Sequence, residues 1–476
     1  MSITRRHFIQ QSALAGAGLC AWSMLGPHAN AMSPIRRPNI LFIFPDQWRR
    51  QAFGYAGDPN LRTPVLDALA AQSTEFTRCY ANHPVCSPCR AMLQTGLYSH
   101  QIGFLKNNYY LPQDPQNLGY RLKDAGYRTS WIGKWHVDGH KRPGFVAPER
   151  RQGWDEFRGF NRGHYYRLGD PKEGQARYFT PEGELVFSDV YEPILQTDLA
   201  LDFMKRQTPG QPWALAVSYG PPHDPYTPLP SHDRFTPGDL RWRDNVPEAK
   251  RRDPHAQRDL CGYYGLCELM DEQIGRLLRH LDETGAAENT IVVFTSDHGD
   301  MQGSHGRFAK LVPFEEASGI PFFVRGPGIR AGRRIDTPVS VLDFAPTLLG
   351  LAGLAPSERM IGRSLAPSLV RGMEIPDAPV LLEGFMHMAD QQWRAIVTDR
   401  YKLSLVVKEN TEPGTYNLEN YLFDLQEDPY EMNNLFRDPA RQTLVKELTA
   451  LRAEIAGRTG DLYPALNPEA PANPPA

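Results

Sequence analysis

The chain has 476 residues, 41% of them apolar and 22% charged, with 52 basic against 55 acidic side chains and a formal net charge of −3. That composition supplies a large buried core and allows two or three domains, or one large α/β domain with an appendage. It lacks the basic excess of a nucleic-acid binder, and the runs Arg150-Arg151 and Lys250-Arg251-Arg252 read as solvated surface.

At the N-terminus, Thr4-Arg5-Arg6-His7-Phe8-Ile9 precedes an apolar stretch from Ala13 to Leu25, and Ala29-Asn30-Ala31 follows as a small-x-small cleavage site. Residues 1–31 thus resemble a twin-arginine export signal. Such a signal implies the twin-arginine translocase as a partner and a periplasmic or secreted destination. It carries proteins that are already folded. The apolar stretch is too short and too rich in Gly and Ala for a stable membrane span. Six cysteines are present, and Cys20 leaves with the signal; the five that remain do not suggest a disulfide framework in so long a chain.

The mature sequence is expected to begin near Met32. Asn39 to Phe44 is an apolar, β-branched run, the pattern of a strand buried on both faces. Thr63-Pro64 opens a helix, with Thr as cap and Pro in the first turn. Further strands are predicted at 128–132, 213–218, 290–295 and 321–325, and helices at 118–125, 260–284 and 342–351. This alternation predicts an α/β fold with a mostly parallel sheet sandwiched by helices. Residues 139–206, rich in Arg, Gly and aromatics without clear periodicity, are expected to form an irregular, substrate-facing insertion. From about Val380 the texture changes to short strands at 394–397, 401–407 and 421–425, then a helix at 439–459. The predicted organisation is a signal at 1–31, a catalytic domain at 38–375, a smaller C-terminal α+β subdomain at 376–462 and a disordered tail at 463–476.

Several predicted strands end in residues with chemical potential. The first delivers Asp46-Gln47, the next Lys134 and His136, another His223, and another Asp297-His298. Ligands bind beyond the carboxyl ends of strands in open parallel sheets. Each residue alone could be a turn, a cap or an ordinary hydrogen-bonded histidine. Together they predict one site. Asp46, Gln47 and Asp297 offer hard oxygen ligands for Ca²⁺, Mg²⁺ or Mn²⁺, and His298 adds a nitrogen.

The nucleophile candidate lies in His83-Pro84-Val85-Cys86-Ser87-Pro88-Cys89-Arg90. A helix is predicted to start near Pro88, so Cys86 would sit where free backbone N–H groups and the helix dipole favour an oxyanion, with Arg90 adding fixed charge. Cys86-x-x-Cys89 also has the spacing of a redox pair or half a zinc site. No thioredoxin-like context surrounds it, however, and Cys261 and Cys267 have the wrong spacing for a second zinc half.

Cys-x-Pro-x-Arg resembles the signature of the formylglycine-dependent sulfatases of the alkaline phosphatase superfamily. Pro38-Asn39-Ile40-Leu41 with Asp46, Gly133-Lys134-Trp135-His136, Pro222-His223, Ser296-Asp297-His298-Gly299 and Phe308-Ala309-Lys310 before Phe314-Glu315-Glu316 extend the resemblance. So do Tyr401-Lys402-Leu403, Leu422-Phe423-Asp424-Leu425, Asp428-Pro429 and Asn434-Leu435. The resemblance implies an alkaline-phosphatase-like fold and a maturation enzyme that converts Cys86 to formylglycine. It implies Asp46, Gln47, Asp297 and His298 as metal ligands together with residue 86. The implied reaction is hydrolysis of sugar or aryl sulfate monoesters through a covalent sulfate hemiacetal. Arg90 and Lys134 would stabilise charge, His136 would act as base, and His223 and Lys310 would bind sulfate and protonate the leaving alcohol. Gln47, where many members carry a second Asp, keeps a phosphonate monoester or phosphodiester substrate open. Cys89 in place of the commoner Ser is a second departure. From another class stands a non-catalytic anion- or glycan-binding relative, against which Lys134, His136, His223 and Lys310 speak. Tyr165, Tyr166, Arg167, His305 and His387 are pocket candidates.

Overall fold

A computed structural model of the chain describes residues 37–461, apart from 171, 387–390 and 409–417. The expected signal at 1–31, the tail at 463–476 and His387 lie outside the described residues.

Strand β1 (Asn39–Asp46) is followed by β2 (Thr74–Phe76), β3 (Cys79–Tyr80), β4 (Arg128–Lys134), β5 (Glu156–Phe160), β6 (Ala176–Phe179), β7 (Leu185–Ser188), β8 (Trp213–Pro222) and β9 (Thr290–Thr295). Next come β10 (Gly319–Ile320), β11 (Phe322–Arg325), β12 (Arg333–Ile335) and β13 (Val339–Ser340), then β14 (Val380–Met386), β15 (Gln391–Val397), β16 (Tyr401–Lys408) and β17 (Tyr421–Asp424). Ten of them form one sheet in the order β12-β2-β11-β9-β1-β8-β4-β5-β6-β7.

The central strands β9, β1, β8, β4 and β5 are parallel. Parallel neighbours need long crossovers, and helices such as Glu192–Lys205 and Pro254–Glu283 lie in those connections. The continuous apolar run of β1 follows from coverage on both faces. Ile40, Phe42 and Phe44 enter one core, and Leu41 and Ile43 enter the other.

The sequence reading differs from the structure in several places. β11 runs antiparallel to β9, because its connection returns to the sheet at the end where β9 finishes, with Phe322 beside Thr295. Residues 139–206 are not irregular throughout. They supply β5, the antiparallel strands β6 and β7, and a helix. Strands β6 and β7 are four residues each and mostly half-buried, too short to show a period. The long helix starts earlier than expected, at Pro254, where the Asp253 side chain accepts from His255 N. Arg151 is not solvated surface but buried, with its guanidinium over Phe145 and Phe157.

β14 to β17 form an antiparallel meander whose two faces alternate as β structure requires. Val380, Leu382, Trp393, Ala395, Val397 and Phe423 pack against Tyr80, Met301, Val312 and Phe314. Leu381, Ile396, Leu403 and Leu405 share a core with Val445, Leu448 and Ile455 of the helix Gln442–Thr459. This sheet is also fastened by a buried ionic contact. Glu383 accepts from Ser99 N at 2.9 Å, Ser99 Oγ at 2.7 Å and His100 Nδ1 at 2.8 Å.

Burial opposes the charge on Glu383, but the hydrogen bond and charge of His100, with Arg394 and His83, hold its carboxyl down at about 2. A carboxyl depressed in the folded state stabilises above its ordinary value and loses that contribution as it is protonated. Glu383→Gln is expected to lower stability near neutral pH by on the order of 3 kcal/mol in denaturant unfolding. The gap between the two proteins should narrow as pH falls from about 4.5 toward 2. A gap constant across that window would contradict the assignment.

Candidate active site

Because β9, β1, β8 and β4 are adjacent and parallel, their carboxyl ends line one edge. That edge carries Asp297 and His298, Asp46 and Gln47, His223, and Lys134 and His136, so all four strand-end deliveries meet. Gln47 and His136 have φ of 70° and 60°. Such left-handed conformations are costly for non-glycine residues and gather where a side chain must be aimed.

Cys86 is the first residue of the helix Cys86–Thr95, which starts at Cys86 rather than near Pro88. Its cap, Val85, is extended and offers no side-chain bond, while Ser87 N donates to Asn107 Oδ1 at 3.0 Å. One turn on, Arg90 projects from the same helix face. Its Nε donates to Asp297 Oδ2 at 2.9 Å and its Nη2 to Asp46 Oδ2 at 3.1 Å. Nη1 donates to Lys134 O at 2.9 Å and to Ser218 Oγ at 2.6 Å.

With those oxygens held, the carboxylates turn their remaining atoms toward Cys86. Cys86 Sγ lies 3.5 Å from Asp46 Oδ1 and 3.2 Å from His298 Nε2. Asp46, Cys86, Asp297 and His298 each offer a ligand atom within 4.8 Å of the others, and all four are buried. His298 Nδ1 donates to Gly299 O at 2.9 Å, which leaves the Nε2 lone pair in the cluster. Two buried carboxylates and an imidazole fit a divalent cation. Gln47 Nε2 donates to Asp300 Oδ2 at 2.6 Å and Tyr226 OH at 3.1 Å, so its Oε1 faces inward, against Lys310 Nζ.

Electrostatics separate the roles. Burial and the negative charge of Cys86 press Asp46 upward, but Lys134, His223 and Arg90 outweigh them and hold it at about 2. Burial and the like charge of Asp46 push Asp297 up. Burial also opposes ionisation of Cys86, yet Lys134, Lys310 and His298 bring its thiol well below the usual range. Cys89 goes the other way, its thiol pushed far up by burial and Asp297. Cys79, Cys86, Cys89, Cys261 and Cys267 are all free.

His136 is driven down to about 3 by burial and Lys134, which outweigh the opposing hydrogen bond and charge of Cys86. Its surroundings therefore favour the neutral imidazole beside Cys86. Burial and Lys310 oppose protonation of His223, but Asp46 and the bond to Asp224 raise it to about 9. Its Nε2 lies 2.7 Å from Lys310 Nζ. All the expected site residues, Asp46, Gln47, Cys86, Arg90, Lys134, His136, His223, Asp297, His298 and Lys310, thus converge.

The pocket candidates fare differently. Tyr166 is buried and donates to His223 O, a support rather than a lining residue. Tyr165 is buried against Phe160, and Arg167 is exposed. His305 belongs to a separate group with Glu316 and Glu431. Several residues escaped the sequence reading. His164 stacks on His223 with ring centroids 4.1 Å apart and lies 3.1 Å from Lys134 Nζ. Ser218 and Tyr226 touch Arg90 and Gln47. Asp300 was within reach, since it directly follows Asp297-His298-Gly299.

A profile of the Sulfatase family matches residues 38–354, and one for the C-terminal part of N-sulphoglucosamine sulphohydrolase matches residues 303–456. The chain belongs to the sulfatase family. It is a sulfuric ester hydrolase with the alkaline-phosphatase-like architecture that its motifs led one to expect. This sulfatase is 34% identical over 438 residues to an ulvan-active sulfatase of Formosa agariphila, covering 90% of this chain and 82% of the relative. It is 30% identical to an endo-4-O-sulfatase of Bacteroides thetaiotaomicron, covering 88% and 92%. The solved structure of a YidJ sulfatase from Bacteroides fragilis superposes with a TM-score of 0.80 at 26% identity, covering 94% and 99%.

Asp300, which accepts and cannot donate, holds Gln47 Nε2, and with Lys310 donating to Oε1 it keeps that oxygen turned inward. Asp300→Asn is expected to let the amide turn over and to weaken divalent-cation binding by about 10- to 100-fold in titration calorimetry. Unchanged affinity would contradict a ligand role for Gln47.

Proposed function

We propose that this sulfatase hydrolyses sulfate monoesters of a sugar or aryl alcohol with a formylglycine made from Cys86, in the company of Ca²⁺ or a similar hard cation. The observation that carries this reading is the placement of Cys86. It starts a buried helix, touches Asp46 and His298, and lies beside His136, pushed down by burial and Lys134, and near His223, raised by Asp46 and Asp224. The saccharide substrate is supported by the relatives named ulvan-active sulfatase and endo-4-O-sulfatase. Residue 86, once converted by a maturation enzyme, would supply a hydrated aldehyde as nucleophile, and the cation held by Asp46, Gln47, Asp297 and His298 would polarise the sulfate oxygens.

The chain's own groups then divide the work. Lys134 and Lys310 counter the sulfate charge. Arg90 has every donor nitrogen engaged by Asp46, Asp297, Lys134 O and Ser218, so it fixes the carboxylates and contributes charge from behind them. His223, half-exposed where an alcohol can depart, donates the proton that the leaving oxygen needs. His136 takes the proton released as sulfate is expelled, and a water molecule restores the starting state. Maturation in the cytoplasm, followed by folded export through a twin-arginine signal at residues 1–31 to the periplasm or medium, fits this chemistry.

Hydrolysis of an aryl sulfate and an aryl phosphonate measured in parallel tests the reading, with kcat/KM higher for the sulfate. Faster phosphonate turnover would overturn it, and the neutral Gln47 is the reason to include that arm. His136→Ala should lower kcat by about 10²- to 10⁴-fold, the usual share of a positioned base. Because His223 is raised to about 9, its acid form persists below that pH and is lost above it. The profile of kcat/KM should therefore fall only as pH passes about 9, whereas a fall near the ordinary histidine value of 6.5 would contradict the assignment.

A further inference from the structure

We propose that the unconverted chain, with a thiol at Cys86, holds a soft divalent cation such as Zn²⁺ where the converted enzyme takes a hard one. Oxidation of residue 86 would then switch the metal that the site selects. The switch rests on the proposed conversion; the zinc site does not.

The donor set is the first reason. One sulfur, one imidazole nitrogen and two carboxylate oxygens form a combination that zinc accepts and calcium does not. The spacing is the second. With Zn–S near 2.3 Å and Zn–N and Zn–O near 2.0–2.1 Å, a tetrahedron has sulfur–nitrogen and sulfur–oxygen edges of about 3.5 Å and a nitrogen–oxygen edge of about 3.4 Å. Cys86 Sγ is 3.2 Å from His298 Nε2 and 3.5 Å from Asp46 Oδ1. His298 Nε2 is 3.4 Å from Asp46 Oδ1 and 3.7 Å from Asp297 Oδ1.

Pre-organisation is the third reason. Arg90 and Lys134 hold Asp46 Oδ2, Arg90 holds Asp297 Oδ2, and Gly299 O fixes the tautomer of His298. Asp297 Oδ1 is itself held by Gln47 N at 3.1 Å and His298 N at 2.9 Å, so the ligand atoms are positioned before any cation arrives and little ordering is left to be done on binding. Replacing sulfur by oxygen removes the soft donor and leaves the carboxylates, His298 and the inward Oε1 of Gln47, a set suited to a larger, harder ion. There is a consequence for the order of events. Cys86 is only 2% exposed, and a bound zinc would occupy its sulfur. A chain that folds and loads zinc first is closed to conversion, so conversion must come earlier.

The test uses the full-length chain from a host without a maturation enzyme, its thiol at residue 86 verified by peptide mass spectrometry and its metals stripped. Added Co²⁺, as a spectroscopic stand-in for zinc, is expected to give a thiolate-to-cobalt charge-transfer band. Zinc itself should remain bound at one ion per chain after dialysis. Cys86→Ser, with an oxygen in place of the sulfur, should bind calcium, lose the band, and bind zinc more than about 100-fold more weakly, beyond the usual cost of losing even a supporting residue. X-ray absorption at the zinc edge of the unsubstituted chain requires no variant and should show one sulfur near 2.3 Å. An absent band, no sulfur in the zinc shell, or equal zinc affinity in Cys86→Ser would overturn the proposal. An active converted enzyme whose parent binds no zinc would refute this inference and leave the proposed function standing. A zinc-binding parent that hydrolyses sulfate esters without conversion would confirm the site and refute the proposed function.

Discussion

A single guanidinium organises this enzyme. Arg90 is fully buried and bonded to Asp46 at the end of β1, Asp297 just beyond β9, the Lys134 carbonyl at the end of β4 and Ser218 of β8. Four strand ends are thereby tied to one helix. Two carboxylates buried side by side would repel each other, and removing the cation between them would cost about 3–5 kcal/mol. The same constraint explains the spacing of the signature. Cys86 and Arg90 are four residues apart in a helix, hence on one face, so the residue that anchors the helix to the sheet edge also aims the nucleophile into the carboxylates.

From that anchor the asymmetry of the site follows. Asp46 and Asp297 give one oxygen each to Arg90 and turn the other toward the cluster at Cys86, that of Asp297 also accepting from Gln47 N and His298 N. His136 has two positive neighbours in Lys134 and Arg90 and stays neutral, whereas His223 has Asp46 and Asp224 and stays protonated. Two histidines of equal intrinsic basicity are pushed to opposite sides of the ordinary value, as the proposed base and acid require. The positive φ at Gln47 and His136 shows that the backbone just past two of these strands is bent out of its ordinary wells to reach these positions.

Much of this could be read from the amino-acid order. β1, β4, β8 and β9 announce themselves as buried runs, β1 and β9 rich in β-branched residues, and the polar residues after them meet because a parallel sheet gathers its carboxyl ends on one edge. The helix at Cys86 was legible except for its first turn, since Val85 is not a capping residue and Pro88 drew the boundary inward. What escaped depends on distant pairing. The antiparallel course of β11 is set by how its connection returns, not by its own composition. β6 and β7 carry too few residues for a period. His164 reaches Lys134 and His223 only because β5 delivers the following loop beside β4, and no motif marks it. Asp300 matters through Gln47, a contact between residues 253 positions apart.

The account turns on the chemical state of residue 86. Mass spectrometry of the peptide that contains Cys86 to Arg90, taken from active enzyme preparations converted to different extents, tests it most directly. Turnover should rise in proportion to the fraction of chains that carry an aldehyde in place of the Cys86 thiol. Full turnover from chains whose Cys86 is wholly unmodified would contradict it.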